Sequence, residues 1–535
     1  MTWVTVGDGV TTFGDYNGVA GFNAAAGTQD YVWVKAGVYQ LNGTTPTISV
    51  GSDCVIQGAD PEGVSGKVVL KPFDRQAIYA GASCEIRNIY FENSGSESSR
   101  IHVVSGSQVR IEHCEFLAGN ADNTGFFIDV TGEALVPEIT IKDCLFSTSA
   151  GVAVRMGAIR FNKFTSAHQE LKGVIENCSF SLRGNNVNTQ AAIYITKGVG
   201  DNKGRDLQIK GCHFKESDTS IYVGYQSFDD LTIKDCIFGD YSGVGGDVST
   251  ANRNRGIEIH NDNHNIRVLD STFYNGCDRE HIRVSQPDPL TTVTNRGMVV
   301  RGNIFYCPDV ENGSPHWVSL DPVTQAVVQG NVFLPGIKDD ITQPWIPAAA
   351  CIYLSSGGLS GHGAQNDVGA RQGMSIISDN TIGVPTAVGG GIGIAVEYGH
   401  VNITNNVLAH KSGGGTGVHL FATADLVKCS DNIINGFKYG ILSYGGDRMT
   451  ISDNRVECDE VEGAVALAMC GIDGDTNAVS SKNIVTNNFL QTGISGWGMR
   501  LGDSADNRLT FSRISGNFCL QKSVDDTQLG WYDGG

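Results

Sequence analysis

Apolar and polar residues alternate in short runs along the whole chain, and one seven-residue pattern returns many times. Its positions are polar, aliphatic, any residue, polar, small or Asn, any residue, and a closing Phe, Ile, Val or Leu. The spacing between copies varies, while the pattern itself is kept. In chain order the copies read EIRNIYF (85–91), RIEHCEF (110–116), TIKDCLF (140–146), VIENCSF (174–180), QIKGCHF (208–214), TIKDCIF (232–238), RVLDSTF (267–273), VVRGNIF (299–305), VVQGNVF (327–333), IISDNTI (376–382), NITNNVL (402–408), KCSDNII (428–434), TISDNRV (450–456), IVTNNFL (484–490) and RISGNFC (513–519).

The alternation indicates β-strands, because successive side chains of a strand point to opposite faces. Each copy is too short to bury its apolar face alone, so the copies must stack on one another as coils of a solenoid. Strands of successive coils would then pair in parallel, about 4.8 Å apart. Variable spacing suits coils in which the strands are fixed and the connecting loops differ in length.

The fifth position of the pattern changes identity along the chain, which indicates ladders of identical residues inside a parallel stack. Asn side chains in such a ladder bond to the amides above and below them, and buried Cys is a small apolar filler. The alternative, a metal or redox cluster of cysteines, has no CxxC pair to support it. Early copies carry Cys114, Cys144, Cys178, Cys212 and Cys236, and later ones carry Asn303, Asn331, Asn380, Asn406, Asn432, Asn454, Asn488 and Asn517.

The N-terminal region contains FGDYNGVAGFNAAAG (13–27) followed by YVWVKAGVYQL (31–41). Its Ala-rich part predicts a short helix that covers the open end of the core. Here the chain resembles the pectate-lyase-like β-helix superfamily, above all phage tailspikes and polysaccharide depolymerases. Those proteins begin with a similar FGDY-type stretch, a helix and a P-A-G-x-Y-like turn, matched here by Lys35-Ala36-Gly37-Val38-Tyr39, with Lys in place of Pro.

Together the repeat and the resemblance predict an all-β protein with a single right-handed parallel β-helix and a short N-terminal capping helix. We expect the cap to occupy residues 1–40, the β-helix 41–520 and a C-terminal tail 521–535. This superfamily contains lyases, hydrolases, epimerases and non-catalytic spikes, so the fold alone does not choose among activities.

A second strand lies upstream of many copies, and its aliphatic pairs are expected to point into the coil. Between and beside these pairs, we predict a solvent-facing wall of aromatic and ionisable side chains. The strands read AIYIT (192–196), SIYVG (220–224), GIEIH (256–260), HIRVS (281–285), WVSLD (317–321), CIYLS (351–355) and GVHLF (417–421). The predicted wall contains Tyr194, Tyr222, Glu258, His260, His281, Arg283, Trp317 and Asp321.

This composition suits a carbohydrate groove. Tyr194, Tyr222 and Trp317 would offer flat apolar faces to sugar rings. In a hydrolase, Glu258 and Asp321 would be the two carboxyl groups, two coils and roughly 10 Å apart, which suits inversion.

In a lyase, Arg283 would bind the uronate carboxylate, and His260 or His281 would remove the adjacent proton. Hydrolysis is the favoured of the two activities. The alternative without chemistry is that Glu258 and Arg283 form a surface salt bridge that only decorates the sheet.

The amino-acid composition limits the classes of binding partner that we expect. With 38 Lys and Arg against 57 Asp and Glu, the formal net charge is −19, which argues against nucleic acid and anionic membranes. The sequence contains no apolar run of about 18 residues, so we do not expect membrane insertion. The stretch MTWVTVGDGV lacks the features of a signal peptide. The 14 cysteines are expected to be reduced and buried. We predict no metal and no cofactor.

The resemblance implies a homotrimeric, tailspike-like receptor-binding protein that binds and depolymerises a bacterial surface polysaccharide, either capsule or O-antigen. Such a protein would be a virion component attached to tail or capsid proteins, assembled in the host cytoplasm and acting outside the cell. One alternative is a non-catalytic virion decoration or adhesin. Another is a cellular lyase or epimerase, which would normally carry an export signal.

Overall fold

The computed structural model divides the chain into two compact units, unit 1 (Met1–Arg267) and unit 2 (Val268–Gly535). The residues that it describes are 3–7, 16–41, 48–59, 67–72, 77–93, 100–104, 108–119, 124–131, 138–149, 155–162, 172–182, 191–196, 204–216, 219–224, 227–239, 255–260, 262–274, 280–285, 295–306, 316–321, 323–334, 350–355, 374–384, 391–397, 399–410, 413–421, 424, 426–469, 479–493, 496–501, 508–510 and 512–521.

The described residues of unit 1 form one helix, α1 (Gly18–Thr28), and three parallel sheets. The first sheet contains Trp3–Gly7, Tyr16–Asn17, Tyr31–Val34, Cys54–Gly58, Cys84–Arg87, Gln108–Glu112, Glu138–Lys142, Lys172–Glu176, Gly204–Lys210 and Phe228–Lys234. The second contains Gly37–Leu41, Val68–Pro72, Tyr90–Asn93, Glu115–Ala118, Leu145–Thr148, Ser179–Ser181, His213–Glu216 and Ile237–Phe238. The third contains Ile48–Val50, Ile78–Ala80, Ile101–Val103, Thr124–Thr131, Arg155–Asn162, Ala191–Ile195, Thr219–Val223 and Arg255–His260.

The described residues of unit 2 also form three parallel sheets. The strand Arg267–Leu269 begins at the last residue of unit 1 and continues into unit 2. Its first sheet contains Val299–Arg301, Val327–Gln329, Ser375–Ser378, Val401–Thr404, Lys428–Ser430, Thr450–Ser452, Ile484–Thr486 and Arg513–Ser515. Its second contains Thr272–Phe273, Ile304–Tyr306, Val332–Leu334, Thr381–Val384, Val407–His410, Ile433–Asn435, Arg455–Glu457, Phe489–Thr492 and Phe518–Gln521. Its third contains Ile282–Ser285, Val318–Leu320, Ala350–Leu354, Ile392–Val396, Thr416–Leu420, Tyr439–Ser443, Val465–Met469 and Trp497–Leu501. Two small pairs join Asn295–Arg296 to Val323–Thr324 and Val479–Ser481 to Arg508–Thr510.

Each coil visits the third, first and second sheets in turn, and the alternating sequence decides which face each side chain takes. In the strand Ile101–Val103, Ile101 and Val103 are fully buried and His102 between them faces outward. In the strand Glu138–Lys142, the same alternation points the side chains of Ile139 and Ile141 into the core. Parallel pairing of equivalent residues on successive coils therefore stacks like on like.

The fourth position of the repeat, polar in the sequence, lies in the left-handed backbone region at the turn between the first and second sheets. His113 has a φ of 54°, Asp453 of 58° and Gly330 of 63°. Asn, Asp and Gly tolerate this conformation better than other residues, which explains why the pattern keeps these residue types there.

The fifth position points inward at the same turn and forms the predicted ladders. In unit 2, the side-chain amide of Asn303 donates to the Oδ1 of Asn331 at 3.0 Å, and the same bond recurs along the series as far as Asn517. In unit 1, Cys114 and Cys144 occupy this position, and their thiols donate to backbone carbonyls. Among the cysteines that the structure describes, none forms a disulfide.

The seventh position supplies stacked phenylalanine rings to both cores. In unit 1, Phe116 and Phe146 stack with ring centroids 4.8 Å apart and planes 6° apart, and Phe146 and Phe180 follow at 5.0 Å. In unit 2, Phe305 and Phe333 stack at 4.8 Å. These separations match the spacing of paired strands, so strand pairing and ring stacking stabilise the same register.

The predicted fold class, an all-β parallel β-helix with a short N-terminal helix, is confirmed. Helix α1 buries Phe22, Ala25 and Ala26 completely. Within the described ranges, no helix is long and apolar enough to cross a membrane. The boundaries expected near residues 40 and 520 stay predictions.

Candidate functional site

The third sheet of unit 1 presents one outward column, in which equivalent residues of successive coils lie side by side. Backbone pairing confirms the predicted register of Tyr194, Tyr222 and Glu258. It also extends the column to coils that the sequence analysis did not align. We call this set the unit 1 column: Ser49, Tyr79, His102, Asp129, Arg160, Tyr194, Tyr222 and Glu258.

Two aromatic rings lie next to Glu258 in the unit 1 column. The rings of Tyr194 and Tyr222 stack with centroids 4.7 Å apart and planes 10° apart. Phe126 packs beside Tyr194, at 5.7 Å between centroids. Both tyrosines are partly exposed, and because their faces cover each other they present ring edges and hydroxyls to solvent.

An ion pair that the sequence analysis missed adjoins this aromatic face. The Nε and Nη2 atoms of Arg160 donate to the two carboxylate oxygens of Asp129, at 2.9 and 2.6 Å. The hydrogen bond to Asp129 is the main cause that raises the pKa of Arg160. The missed signal was the aliphatic-x-aliphatic spacing of Ile128-Asp129-Val130, which matches the strands that were recognised.

The earlier end of the column carries two more side chains that the sequence analysis did not select. The rings of Tyr79 and His102 meet edge to face, with centroids 5.7 Å apart. The Nε2 atom of His102 lies 2.8 Å from the hydroxyl oxygen of Thr131. These side chains extend the polar and aromatic surface along the sheet.

Glu258 at the other end of the column is held by two cationic or polar neighbours. The Nη1 atom of Arg255 donates to one carboxylate oxygen at 2.8 Å, and the Nε2 atom of His260 lies 3.5 Å from the other. The Nδ1 atom of His260 lies 3.4 Å from the hydroxyl of Tyr222.

These neighbours decide the charge of the Glu258 carboxyl. Burial acts to raise its pKa, but the hydrogen bond from His260 and the charge of Arg255 outweigh burial and lower the pKa to about 2. Glu258 is therefore ionised at any pH near neutral. Its carboxylate is unsuited to donating a proton and, with so low a pKa, is a weak base, but it can stabilise positive charge.

In unit 2, Arg283 pairs with Ser319 in the third sheet. Asp321 lies two residues after Ser319, directly beyond the end of that strand. Burial is the main cause that raises the pKa of Asp321 to about 6. The hydrogen bond from Ser355 and the charge of Arg283 lower it, and the charge of Glu397 raises it. Asp321 thus combines partial burial with a carboxyl that keeps its proton to unusually high pH.

A second carboxylate, Glu397, occupies the same position as Asp321 two coils later along the third sheet of unit 2. The hydroxyl of Tyr353 on the intervening coil donates to Glu397. The ring of Tyr353 stacks on His316, with centroids 4.4 Å apart and planes 9° apart. The sequence analysis did not select Glu397, although its spacing after the aliphatic pair is that of Asp321.

The predicted outward placement of His281 and Trp317 is wrong. Both side chains are fully buried, and their rings meet edge to face with centroids 6.4 Å apart. The Nε2 atom of His281 is 2.7 Å from the carbonyl oxygen of Tyr306. Burial lowers the pKa of His281 to about 4, so the ring is a neutral core residue.

The reason is that the residue before the aliphatic pair is buried at the start of these strands, as Ala192 and Cys351 also are. At His281, the backbone N–H groups of His281 and Ile282 both donate to the carbonyl of Trp317, and two neighbouring side chains face the core. The same double donation joins Ala77 and Ile78 to Arg100, whose side chain is also buried.

The predicted proximity of Glu258 to Arg283 and to Asp321 would join the two units, and it stays a prediction. Within each unit the grouping is direct. Tyr194, Tyr222, Glu258 and His260 lie together in unit 1, and Arg283 and Asp321 lie together in unit 2. Across the described part of the chain, no group of three or more His, Cys, Asp or Glu side chains is arranged to hold a metal ion.

Comparison with known proteins found similarity only among solved structures. No family model matches the chain, and no curated protein matches it. Among solved structures it is similar to ORF18 of Geobacillus virus E2, with 16% identity over 62% of this chain and 58% of that chain and a TM-score of 0.35. It is also similar to PfbA, a surface adhesin of Streptococcus pneumoniae, with 12% identity over 75% of this chain and 86% of that chain and a TM-score of 0.43.

A third similar structure is tailspike protein 3 of bacteriophage CBA120, with 11% identity over 95% of this chain and 59% of that chain and a TM-score of 0.26. The virus and phage matches span less than two thirds of those proteins' own lengths. Identities of 11–16% and TM-scores of 0.26–0.43 carry no argument about the fold or the activity of this chain. The parallel β-helix is established by the sheet topology itself.

Proposed function

We propose that this protein binds a bacterial surface polysaccharide and depolymerises it by hydrolysis, as a tailspike-like virion protein. One observation carries the proposal: two carboxyl groups, Asp321 and Glu397, occupy equivalent positions two coils apart on one sheet face, and the proton affinity of Asp321 is raised. Two carboxyl groups in different environments are the arrangement that glycoside hydrolysis requires.

In this mechanism Asp321 is the general acid. A pKa of about 6 leaves a large fraction of its carboxyl protonated in mildly acidic solution, and that proton passes to the glycosidic oxygen as the bond to it breaks. Glu397 is the base that takes a proton from the attacking water. Tyr353 positions Glu397 through its hydroxyl, and the stack of the Tyr353 ring on His316 holds the Tyr353 side chain in place.

Two strand steps separate the backbones of Asp321 and Glu397 by roughly 10 Å. With side-chain reach, this separation suits an inverting enzyme, in which a water molecule lies between the sugar and the base. Glu258 in unit 1, ionised and held by Arg255, does not supply the proton in this scheme.

The test is incubation of the protein with purified capsules and lipopolysaccharides, followed by chain-length analysis and assay of new reducing ends. Hydrolysis predicts shorter chains and new reducing ends without ultraviolet absorbance from an unsaturated uronate. Absorbance of that kind would replace the hydrolase with a lyase, for which Arg283 and His260 are the candidate residues. Unchanged polymer would contradict depolymerisation.

A second candidate function is binding without cleavage. The observation in its favour is that carboxylates of both units are already engaged by internal partners, Glu258 by Arg255 and Glu397 by Tyr353. A polysaccharide that is retained by the protein but never shortened would support this function.

The homotrimer and the attachment to tail or capsid proteins are part of the same proposal, and the N-terminal sequence resemblance supports them. Light scattering of the purified protein would give three times the chain mass of 56.9 kDa for a trimer. A monomer in solution would contradict that assembly. Detection of the chain in purified phage particles would test its place in the virion.

A further inference from the structure

The charged side chains in and directly beside the unit 1 column form two ion pairs. Asp129 pairs with Arg160, and Glu258 pairs with Arg255. These four charges sum to zero, and the rest of the column consists of aromatic, hydroxyl and imidazole side chains. The surface is therefore polar without a surplus of positive charge.

The positive charge of Arg160 is already neutralised by Asp129. Its Nε and Nη2 atoms donate to both carboxylate oxygens of Asp129, and its guanidinium carbon lies 4.9 Å from the centre of the Phe126 ring. One bidentate edge of the guanidinium is thereby occupied, and an acidic sugar that approached the other edge would meet a charge that Asp129 has compensated.

The second cation, Arg255, is engaged as well. Its side chain is 12% exposed and donates to Glu258, whose side chain is also 12% exposed. A pair this far withdrawn from solvent presents little positive charge to a passing ligand. The formal net charge of −19 adds a general repulsion toward polyanions.

The remaining groups suit hydroxyl-rich sugars. Because the rings of Tyr194 and Tyr222 stack on each other, they present apolar ring edges and phenolic hydroxyls, which suit the C–H and O–H groups of a sugar. Burial raises the pKa of both phenols, so both hydroxyls stay neutral and can donate or accept hydrogen bonds. From Tyr79 to Glu258 the column spans six strand steps, about 29 Å, enough for several sugar rings.

We propose that the unit 1 column binds a polysaccharide segment built from uncharged, hydroxyl-rich sugars. This inference rests on the proposed function and narrows its substrate class. It also separates the two chemistries, because a lyase needs a uronate carboxylate next to the proton that it removes, whereas a hydrolase does not.

The experiment measures binding of the full chain to a panel of purified O-antigen and capsular polysaccharides at low and at high salt. For each bound polysaccharide that contains uronic acids, the carboxyl-reduced form serves as the matched uncharged probe. We expect binding to uncharged chains, with an affinity that salt leaves nearly unchanged. Binding that needs the carboxylates and weakens steeply with salt would overturn the inference while leaving the proposed function intact. Binding to no polysaccharide at all would overturn both.

Variants locate the binding site. Tyr194→Ala is expected to weaken binding of the polysaccharide about tenfold, because it removes one of the two stacked rings. Tyr90→Ala is the matched control, since Tyr90 lies on the second sheet of the same unit. Circular dichroism checks that both variants fold, and Tyr222→Ala serves if Tyr194→Ala does not. Equal affinity in Tyr194→Ala and the control would contradict binding at this column.

A second pair of variants tests the charge balance. Asp129→Asn leaves Arg160 uncompensated, so this variant is expected to gain salt-dependent binding to polygalacturonate that the parent protein lacks. The double variant Asp129→Asn/Arg160→Gln removes both charges and is expected to lose that gain. Strong polygalacturonate binding by the parent protein would show that the column accepts acidic chains already.

Discussion

The side chain of Asn406 accepts two hydrogen bonds from Asn380, one from its backbone N–H at 3.1 Å and one from its side-chain amide at 2.9 Å. Its own amide donates to Asn432 and to the carbonyl oxygens of Ile377 and Thr404. Every polar atom of this fully buried side chain thus has a partner. A buried ladder of this kind is stable only while each rung is present.

Asn406→Ala is expected to destabilise unit 2 by about 3 kcal/mol, because it removes the acceptor of the backbone and side-chain N–H groups of Asn380 and the side-chain donor to Ile377. Chemical denaturation followed by circular dichroism measures the change. Asn402→Ala is the control, since Asn402 lies on the same coil with its side chain partly exposed. Equal stability of the two variants would contradict a structural role for the ladder.

Asp321→Asn is expected to reduce the depolymerisation rate by about a hundredfold or more without altering the fold, because Asn cannot donate the proton. In the parent protein, we expect the rate to fall as the pH rises through about 6, since Asp321 then loses its proton. A series of rate measurements against pH checks both effects. Asp431→Asn, at an exposed turn of the same unit, should change neither, and a rate that Asp321→Asn leaves intact would refute the assignment.

Stability is expected to fall as the pH is lowered from about 6.5 to about 4, because of buried histidines. Burial lowers the pKa of His281, His316 and His419 to about 4 from an ordinary value of 6.5. The unfolded chain therefore takes up protons in this range that the folded chain does not, which favours unfolding.

For His281, which is completely buried, the loss is on the order of 3 kcal/mol at full protonation. Asp321 acts in the opposite direction, because its pKa of about 6 is raised, so its contribution to stability is lost as the pH rises. Unfolding midpoints across this pH range measure the net effect. His281→Gln should flatten the profile, and an unchanged slope in that variant would argue against His281 as a cause.

Lys482→Gly is expected to stabilise unit 2 by about 0.5–1 kcal/mol. Lys482 has a φ of 57°, a left-handed conformation that costs a residue with a Cβ more than it costs Gly. The greater freedom of Gly in the unfolded chain offsets part of the gain. Lys428→Gly, in a strand, should destabilise instead. Thermal unfolding distinguishes the two, and a loss of stability in Lys482→Gly would be inconsistent with backbone strain at this turn.

The fold could be predicted because its signal repeats. A period of two in each strand and one inward residue at each turn are enough to place Tyr194, Tyr222 and Glu258 in one register. Errors arose at the strand starts, where strict alternation does not hold. The residue before the aliphatic pair is buried there, as His281 and Trp317 are, and the alternation of side chains gives no sign of it.

The charge states of the candidate residues could not be predicted from the sequence, because they depend on neighbours from other coils. Glu258 and Asp321 look alike as outward carboxylates in the sequence. One is held ionised by Arg255 and His260, and the other is kept protonated to about pH 6 by burial. Arg160 was missed although its strand carries the recognised apolar spacing, Ile159-Arg160-Phe161.

The asparagine ladder also has a direction, since each rung donates its amide to the rung of the next coil and accepts from the rung before. Any coil therefore offers the same acceptor on one side and the same donor on the other. A coil can be duplicated or lost as a whole, and the rungs on either side of the change will still match. Unit 2 is in this sense built to vary in length, by whole coils and not by single residues.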